Sequence, residues 1–376
     1  MKKIVAFLML MASVAVMTCC TAEDPFEEYN NDWNNNSITP NGNTGNSSTT
    51  GELTAFDVAI DKATAEPTDV ATAYNPDEED ALENSEFTTE VSIDMSNPVA
   101  KTVNGVEVTV NGGELWLKST GSGGKGINVD MEANFNGGSV YVVTTGGQYK
   151  SNNDTSSPKG IKADGNITIS GGRIWVRTSG TNGEGIETKK ELSIKGGEVA
   201  SYAYDDAINS KSNMTISGGY VFAQGQHNDG LDANGNCYIK GGTIFAICSG
   251  TPEVAIDANT EGGYKLYVTG GTIVAVGGLE NGSSLSQSCY QSSSWSSNTW
   301  YALTVGSSTF AFKTPSSGGS GLVVSGASEP TLLSGVSVSG GTSYFGGLGI
   351  TGGTVSGGTS VSLSSYSGGN GMKIHL

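Results

Sequence analysis

The sequence has few of the residues that build disulfides, metal–thiolate sites and basic surfaces. Its 376 residues include five cysteines, two histidines and only two arginines, Arg173 and Arg177. Three cysteines, Cys237, Cys248 and Cys289, lie beyond the N-terminal segment, and an odd number is a poor disulfide framework. Lysine and arginine number 19 against 37 acidic residues, a formal charge of −18. A protein this acidic is not expected to bind nucleic acid.

Long apolar runs are also scarce, and the pronounced one is at the N-terminus. Two lysines precede an apolar run that ends at Thr18, just before Cys19 and Cys20. The run is too short to span a membrane and is typical of a secretory signal that ends at a lipoprotein cysteine. Residues 1–19 are therefore predicted to be a signal peptide, with either Cys19 or Cys20 lipidated.

Negative charge is concentrated in the first hundred residues. Residues 20–100 hold 18 acidic residues and a single base, Lys62, whereas residues 101–376 hold 19 acids and 16 bases. The pair Glu23-Asp24 resembles a surface-export signal of lipoproteins in some diderm bacteria, so we expect a lipid anchor at the outer membrane, on the cell surface. Residues 20–51, rich in Asn, Ser, Thr and Gly, are predicted to be a flexible tether. Residues 52–105 are predicted to cap the entry of the repeat region that follows.

Glycine is abundant, and much of it recurs as Gly-Gly pairs within one apolar frame. Seven pairs begin 22 to 34 residues apart, at Gly112, Gly137, Gly171, Gly196, Gly218, Gly241 and Gly270. Apolar residues stand two and four positions before each pair and two positions after it, with mostly polar residues between the first two. This alternation is typical of β-strands. A repeat of this length predicts a coil with one β-rung per turn.

A third strand in each turn is marked by an aliphatic residue that follows Gly or Ala. These residues are Ile127, Ile161, Ile186, Ile208, Leu231 and Ile256. Three short strands per turn, with glycine at a corner that needs positive φ or close backbone approach, predict a parallel β-helix. We expect an all-β chain with about seven regular rungs over residues 106–278 and irregular strands and a cap over residues 279–376. Cys237 falls in an inward column and is predicted to be a buried thiol.

Acidic residues recur beside the third strand on consecutive rungs. They are Glu184, Glu187, Asp205, Asp206, Asp229 and Asp232. Neighbouring rungs lie about 4.8 Å apart, and two carboxylates at about 4 Å repel by roughly 4 kcal/mol at an effective dielectric near 20. Ca²⁺, which binds carboxylate and carbonyl oxygens, would remove this repulsion, and the lack of Cys and His there argues against zinc. The alternative is a solvated ridge partly neutralised by Lys189, Lys190 and Lys211.

A second outward column follows the Gly-Gly pairs by three residues and is mostly aromatic. Its members are Trp116, Tyr141, Trp175, Ala200, Phe222, Phe245 and Val274. An exposed row at rung spacing would form a flat apolar platform for sugar rings, and Arg177, with Lys118 and Arg173, could pair with uronate carboxylates. Alternatively, the leader, the insertion between Gly138 and Gly160 or a second protomer covers the row. A later aromatic cluster (Tyr290, Trp295, Trp300, Tyr301) is interpreted as part of a cap.

Three repeats resemble those of secreted carbohydrate-binding β-helix proteins. They are KGIKADGNITISGG (159–172), DDAINSKSNMTISGG (205–219) and NDGLDANGNCYIKGG (228–242). The resemblance runs from about Phe56 to about Gly349. It implies a right-handed parallel β-helix similar to pectate lyases, bound calcium, and cellulose or pectin-type polymers as ligands. The calcium ligands it implies are Asp205, Asp206, Asp229 and Asp232, with Glu184, Glu187 and Asn209; the first rungs depart from the pattern with Lys125 and Lys159.

The residues favour binding over catalysis. A pectate lyase needs a basic side chain beside its calcium, but both arginines fall near the aromatic column. Asp205-Asp206 with Asp229 could supply the paired acids of a hydrolase, with His227 nearby, yet the other basic residues of that class are not recognisable. We therefore expect a non-catalytic, calcium-stabilised lipoprotein that binds acidic (pectin-type) or cellulosic polysaccharide. A β-helix lyase or hydrolase and a structural adhesin remain alternatives, and the oligomeric state stays open.

Overall fold

A computed structural model describes residues 90–92, 103–105, 107–151, 154–248 and 252–368. Within these ranges the protein is all-β, with a single 3-10 turn at Phe345–Gly347. No helix in this part of the chain is long and apolar enough to cross a membrane. The predicted signal peptide with Cys19 and Cys20, the tether and most of the predicted N-terminal cap lie outside the described residues.

The described chain contains 31 strands. The first 21 are β1 (Glu90–Ser92), β2 (Val103–Gly105), β3 (Glu107–Val110), β4 (Glu114–Ser119), β5 (Lys125–Val129), β6 (Ala133–Phe135), β7 (Ser139–Thr144), β8 (Tyr149–Ser151), β9 (Asp154–Ser156), β10 (Lys159–Ala163), β11 (Ile167–Ile169), β12 (Arg173–Thr178), β13 (Glu184–Thr188), β14 (Leu192–Ile194), β15 (Glu198–Ala203), β16 (Ile208–Ser210), β17 (Met214–Ile216), β18 (Tyr220–Gly225), β19 (Leu231–Ala233), β20 (Cys237–Ile247) and β21 (Leu266–Val276). The remaining ten are β22 (Ser284–Leu285), β23 (Cys289–Ser292), β24 (Trp300–Val305), β25 (Ser308–Lys313), β26 (Leu322–Ser325), β27 (Thr331–Ser339), β28 (Thr342–Tyr344), β29 (Gly349–Thr351), β30 (Thr354–Ser360) and β31 (Ser364–Tyr366).

Three parallel stacks of strands form the coil. Sheet A stacks β1, β3, β6, β11, β14, β17 and the first halves of β20 and β21, and ends at β22. Sheet B stacks β4, β7, β12, β15, β18 and the second halves of β20 and β21. Sheet C stacks β2, β5, β10, β13, β16 and β19. The predicted parallel β-helix with three strands per turn is confirmed.

The apolar columns face the interior of the coil, as the alternation predicts. Ile167 pairs with Ala133 and Leu192 in sheet A, and all three are buried in one continuous core with the sheet C column. Cys237 is fully buried in this core with a free thiol, as expected. The coil has about six complete turns, since beyond β19 sheet C continues only as the bridges Leu231–Ile256 and Ile256–Leu279.

Antiparallel strands close the C-terminal end of the coil. Strand β26 pairs antiparallel with β21, β23 pairs with β26, and β31 pairs with β23. A separate six-stranded antiparallel sheet, here called the C-terminal sheet, has the order β28-β29-β25-β24-β27-β30. It packs on the outer face of sheet B and forms a second hydrophobic core there. The pairing of β26 with the second half of β21 occupies the C-terminal edge of sheet B, so this edge is not left free to pair with another chain.

The second glycine of every Gly-Gly pair takes a left-handed conformation, which confirms the predicted corner. The values of φ run from +75° at Gly138 to +94° at Gly271. The corners also stack on one another: a Cβ added to Gly197 would lie 2.6 Å from the carbonyl oxygen of Gly172. Both the dihedral angle and the contact therefore require glycine at this column.

We expect Gly197→Ala to lower the free energy of unfolding by about 1–3 kcal/mol or more, because alanine is strained at φ +80° and also meets backbone. Gly112→Ala is the matched control, since a Cβ there meets no atom within 4 Å, and its effect should stay within about 1 kcal/mol. Chemical denaturation measures both. Equal losses in the two variants would contradict the corner interpretation.

Candidate functional site

The aromatic column points away from the coil interior, but it is not exposed. Tyr141 and Trp175 are 7% and 5% exposed, and Phe222 and Phe245 are 0% exposed. The C-terminal sheet and its 3-10 turn cover them: Phe345 lies 5.8 Å from Phe222 and Phe312 lies 5.2 Å from Phe245, between ring centroids. The expectation of an open platform is therefore wrong for these four residues. Trp116 lies in β4.

A cover that the sequence did not suggest lies over the aromatic column. It comes from residues 300–350 of the same chain, and a buried ion-paired residue secures it. Glu198 in β15 accepts a hydrogen bond from the Phe345 backbone N–H at 2.6 Å and pairs with the Arg173 Nε at 3.0 Å. Arg177 is half-exposed, with its guanidinium 6.0 Å from the centre of the Tyr202 ring. Both arginines belong to sheet B, so neither lies on the acidic side of the coil.

The acidic residues line the outer side of sheet C, where the strand register aligns them. Glu187 pairs with Asn209, and Asn209 pairs with Asp232. The bridges through Ile256 and Leu279 continue the column to Asp257 and Glu280. We call this set, with Glu184 at the start of β13 and with Asp206 and Asp229 just before β16 and β19, the acidic ridge.

Lysine neutralises the first part of the acidic ridge. The Lys159 Nζ lies 2.8 Å from the Glu184 Oε1 and also forms an ion pair with Glu187. Burial acts to lower the pKa of Lys159, but the two carboxylates outweigh it and the pKa is raised. Burial raises the pKa of Glu184 to about 7 although Lys159 opposes it. Glu184 and Glu187 were predicted as metal ligands, but both already form an ion pair with the Lys159 ammonium group.

Hydrogen bonds hold the middle of the acidic ridge. The Asp206 Oδ2 accepts from the Asn209 Nδ2 at 2.8 Å, and its Oδ1 accepts from the Asp229 backbone N–H at 3.1 Å. Burial, with Asp232 and Asp229 nearby, holds the pKa of Asp206 well above its usual range. The Asn209 Oδ1 is buried and has no hydrogen-bond partner. The Asp205 Oδ1 accepts a hydrogen bond from the Asn228 Nδ2 at 3.0 Å.

The last part of the acidic ridge brings three carboxylates together. One oxygen each from Asp229, Asp232 and Asp257 lies within 4.8 Å of the others. Burial raises the pKa of Asp232 to about 6 against the opposing effect of Lys211. Burial and a hydrogen bond to Glu280 raise the pKa of Asp257 to about 11. Neighbouring carboxylates add to the effect of burial in raising both pKa values.

The donor set of this acidic centre fits a hard divalent cation. Ligand oxygens at about 2.3–2.6 Å from one Ca²⁺ lie up to roughly 5 Å from each other, which matches the 4.8 Å group. The Asn209 oxygen, buried without a partner on the preceding rung, is an oxygen donor of the same class. Neither histidine nor cysteine belongs to the group, which disfavours zinc.

Two residues of the acidic ridge were not among the predicted ligands, although the sequence carries a signal for both. Asp257 follows Ile256 as Asp232 follows Leu231, and Glu280 follows Leu279 in the same way. Glu280 lacks the following Gly-Gly pair that marks the other rungs, so the repeat does not align it with them. The Glu280 Oε1 accepts a hydrogen bond from the Thr260 hydroxyl at 3.1 Å.

A family model described as a carbohydrate-binding domain-containing protein matches residues 92–182 and 179–342. The chain belongs to this family. The matched residues include the coil from β2 onward and, of the C-terminal sheet, strands β24, β25 and β27. The two matches meet between β12 and β13, at the turn that leads into the acidic ridge. No curated protein and no solved structure gives a significant match to the chain.

We expect the metal-free protein to lose stability as pH rises from about 5.5 to 8. Asp232, Glu184 and Asp257 have folded-state pKa values of about 6, about 7 and about 11. These values exceed those of an unfolded chain, so the folded state binds more protons and deprotonation favours unfolding. The slope should be roughly 1 kcal/mol per pH unit for each carboxyl that stays protonated.

Thermal and urea unfolding in chelator measure this slope. Asp257→Asn should flatten it, because an amide cannot titrate, whereas Asp130→Asn, at an exposed position on an early rung, should leave it unchanged. Added calcium should also flatten the slope of the parent protein, since the ion binds the ionised carboxylates. Stability that increases with pH in chelator would refute the crowded-carboxylate interpretation.

Proposed function

We propose that the protein is a non-catalytic, calcium-stabilised lipoprotein of the cell surface that binds polysaccharide. The observation that carries the proposal is the match of a carbohydrate-binding family over most of the described coil. The ligand is acidic (pectin-type) or cellulosic, as the resemblance of the repeats implies. The acidic centre of Asp229, Asp232 and Asp257 supports the calcium part.

Calcium in this proposal acts on the stability of the coil. The residues that would hold it are Asp229, Asp232 and Asp257, with Asn209 and Glu280 beside them on adjoining rungs. When bound, the ion would supply positive charge to carboxylates that the protein otherwise keeps protonated. Asp206 would help by holding the Asp229 backbone in place through its hydrogen bond. Loss of the ion would loosen the last turns of sheet C first.

A lyase or hydrolase of the β-helix type is the alternative that the same experiments test. A lyase needs a strong base beside its acidic centre, and Arg173 and Arg177 are both in sheet B. His227 is exposed and packs against Tyr204 with the two rings tilted and their centroids 4.1 Å apart. These placements favour binding without cleavage. The third possibility, a structural adhesin, predicts no affinity for any glycan.

We expect the full chain, kept in mild detergent, to be retarded in native gels that contain polygalacturonate or hydroxyethyl cellulose.

Chelator should lower the melting temperature of the protein by several degrees. The variants Asp232→Asn and Asp257→Asn should each remove the effect of calcium on the melting temperature, while Asp130→Asn should retain it. A loss of about 1–3 kcal/mol is the scale expected when a bound ion is removed at moderate saturation.

Retardation by no glycan would refute the binding proposal and favour the adhesin. A melting temperature independent of calcium would refute the metal proposal alone. Release of unsaturated uronate, followed by its ultraviolet absorbance, or of reducing ends would instead establish an enzyme.

For the anchor, we expect a diderm bacterial host to attach lipid to the chain and to expose it to protease added to whole cells. Replacing Cys19 and Cys20 together by serine should abolish lipid labelling and release the protein from the membrane fraction, because serine offers no thiol for the thioether. The single variants Cys19→Ser and Cys20→Ser identify the modified residue. Unchanged labelling of the double variant would rule out this anchor.

A further inference from the structure

A groove of about 610 Å³ lies between the C-terminal sheet and the loop that joins β23 to β24. The loop contributes a run of serines and Trp295, while Tyr301 of β24 and Ser334 of β27 come from the sheet. Ser362, between β30 and β31, lies on the other side. The volume falls in the range of ordinary ligand sites. The groove is remote from the acidic ridge in the chain and belongs to different strands.

The aromatic residues of the groove are held in place by specific contacts. The Trp295 Nε1–H donates to the Gly319 carbonyl at 3.0 Å, and a Cβ on Gly318 would lie 3.1 Å from the Trp295 ring. The ring is half-buried against the second hydrophobic core. The Tyr301 hydroxyl accepts a hydrogen bond from the Ser296 backbone N–H at 2.8 Å and so fixes the loop to the sheet. A site held in this way loses little conformational entropy when a ligand binds.

The chemistry of the lining matches an uncharged polyhydroxylated ligand. Serine hydroxyls both donate and accept hydrogen bonds, as sugar hydroxyls do. The electron-rich face of an indole ring attracts the C–H groups on the apolar face of a sugar. None of the residues that line the groove is Asp, Glu, Lys, Arg or His. A uronate carboxylate would lose hydration there without gaining a cationic partner, which is costly.

We propose that this groove binds a neutral glycan chain, with Trp295 as the stacking platform. This inference rests on the proposed polysaccharide-binding function and assigns it a site and a ligand class. The groove lining offers no carboxylate pair of the kind that glycoside hydrolysis requires. The neutral ligand is bound here and is not cut here. The binding surface therefore lies in the C-terminal sheet region instead of on the column of aromatic residues along the coil.

The test uses the full chain in mild detergent, with cellohexaose titrated by calorimetry and with native gels containing hydroxyethyl cellulose or polygalacturonate. Trp295→Ala removes the platform. Ser293→Tyr and Ser362→Tyr keep the indole and fill the groove from two exposed positions. Tyr264→Ala removes an exposed aromatic ring elsewhere, and Ser307→Tyr adds a ring to an exposed turn between β24 and β25. Circular dichroism and melting temperature report on folding of each variant.

We expect the three groove variants to bind cellohexaose about tenfold or more weakly, the loss typical of a central aromatic contact. The two control variants should bind within about twofold of the parent, which is under 0.5 kcal/mol. Affinity of the groove variants for polygalacturonate, if the parent has any, should be unchanged. The serine variants keep the test decisive if Trp295→Ala fails to fold.

Three results would overturn this inference while leaving the proposed function standing. The first is cellohexaose binding that is unchanged in the folded groove variants. The second is a parent protein that binds polygalacturonate and no neutral glucan. The third is a parallel loss of both ligands in the groove variants, which would refute the neutral class. A parent that binds no glycan at all refutes the proposed function as well.

Discussion

The parallel stacking of rungs is the constraint on which this structure depends. Hydrogen bonding between neighbouring strands holds each residue about 4.8 Å from its counterparts on the turns above and below. A residue type that fits a position on one rung must therefore also fit when similar residues lie directly above and below it. Aliphatic residues satisfy this condition inside the coil, and left-handed glycines satisfy it at the corner after sheet A.

Charged residues satisfy the same condition only when their repulsion is relieved. The acidic ridge shows two ways of relieving it along one column. On the earlier turns Lys159 lies between Glu184 and Glu187. On the later turns the protein provides hydrogen-bond donors and burial, and the pKa values of Asp206, Asp232 and Asp257 rise as a result. A chain that keeps such a column pays in stability unless a cation is present, which is why the ridge is a candidate metal centre.

The sequence predicts well whatever the repeat determines. The inward columns, the three strands per turn, the buried Cys237 and the glycine corner all follow from spacing alone. The ion pair between Lys159 and Glu184 is also predictable from the sequence, because both residues occupy the same position on successive rungs. Extending the same column of residues to the following rungs also predicts Asp257 and Glu280 as members of the acidic ridge.

The repeat cannot predict what packs on its outside. Phe222 and Phe245 alternate as outward residues should, and their burial depends on Phe345 and Phe312, which lie far along the chain in a region without the repeat. The Trp295 groove has the same origin, since its walls come from strands that no periodic pattern links. Contacts between a repeat and a non-repeating segment are set by tertiary packing, so the spacing of residues along the repeat does not predict them.

The C-terminal sheet also bears on the length of the coil. A solenoid made only of similar turns can gain or lose one turn at little cost, because each turn contacts only its neighbours. Here the C-terminal sheet touches three successive turns at fixed points: Phe345 on Glu198 of β15 and on Phe222 of β18, and Phe312 on Phe245 of β20. Removing or duplicating a turn within this span would leave one of these contacts without its partner. The segment outside the repeat thus constrains the number of turns in the coil.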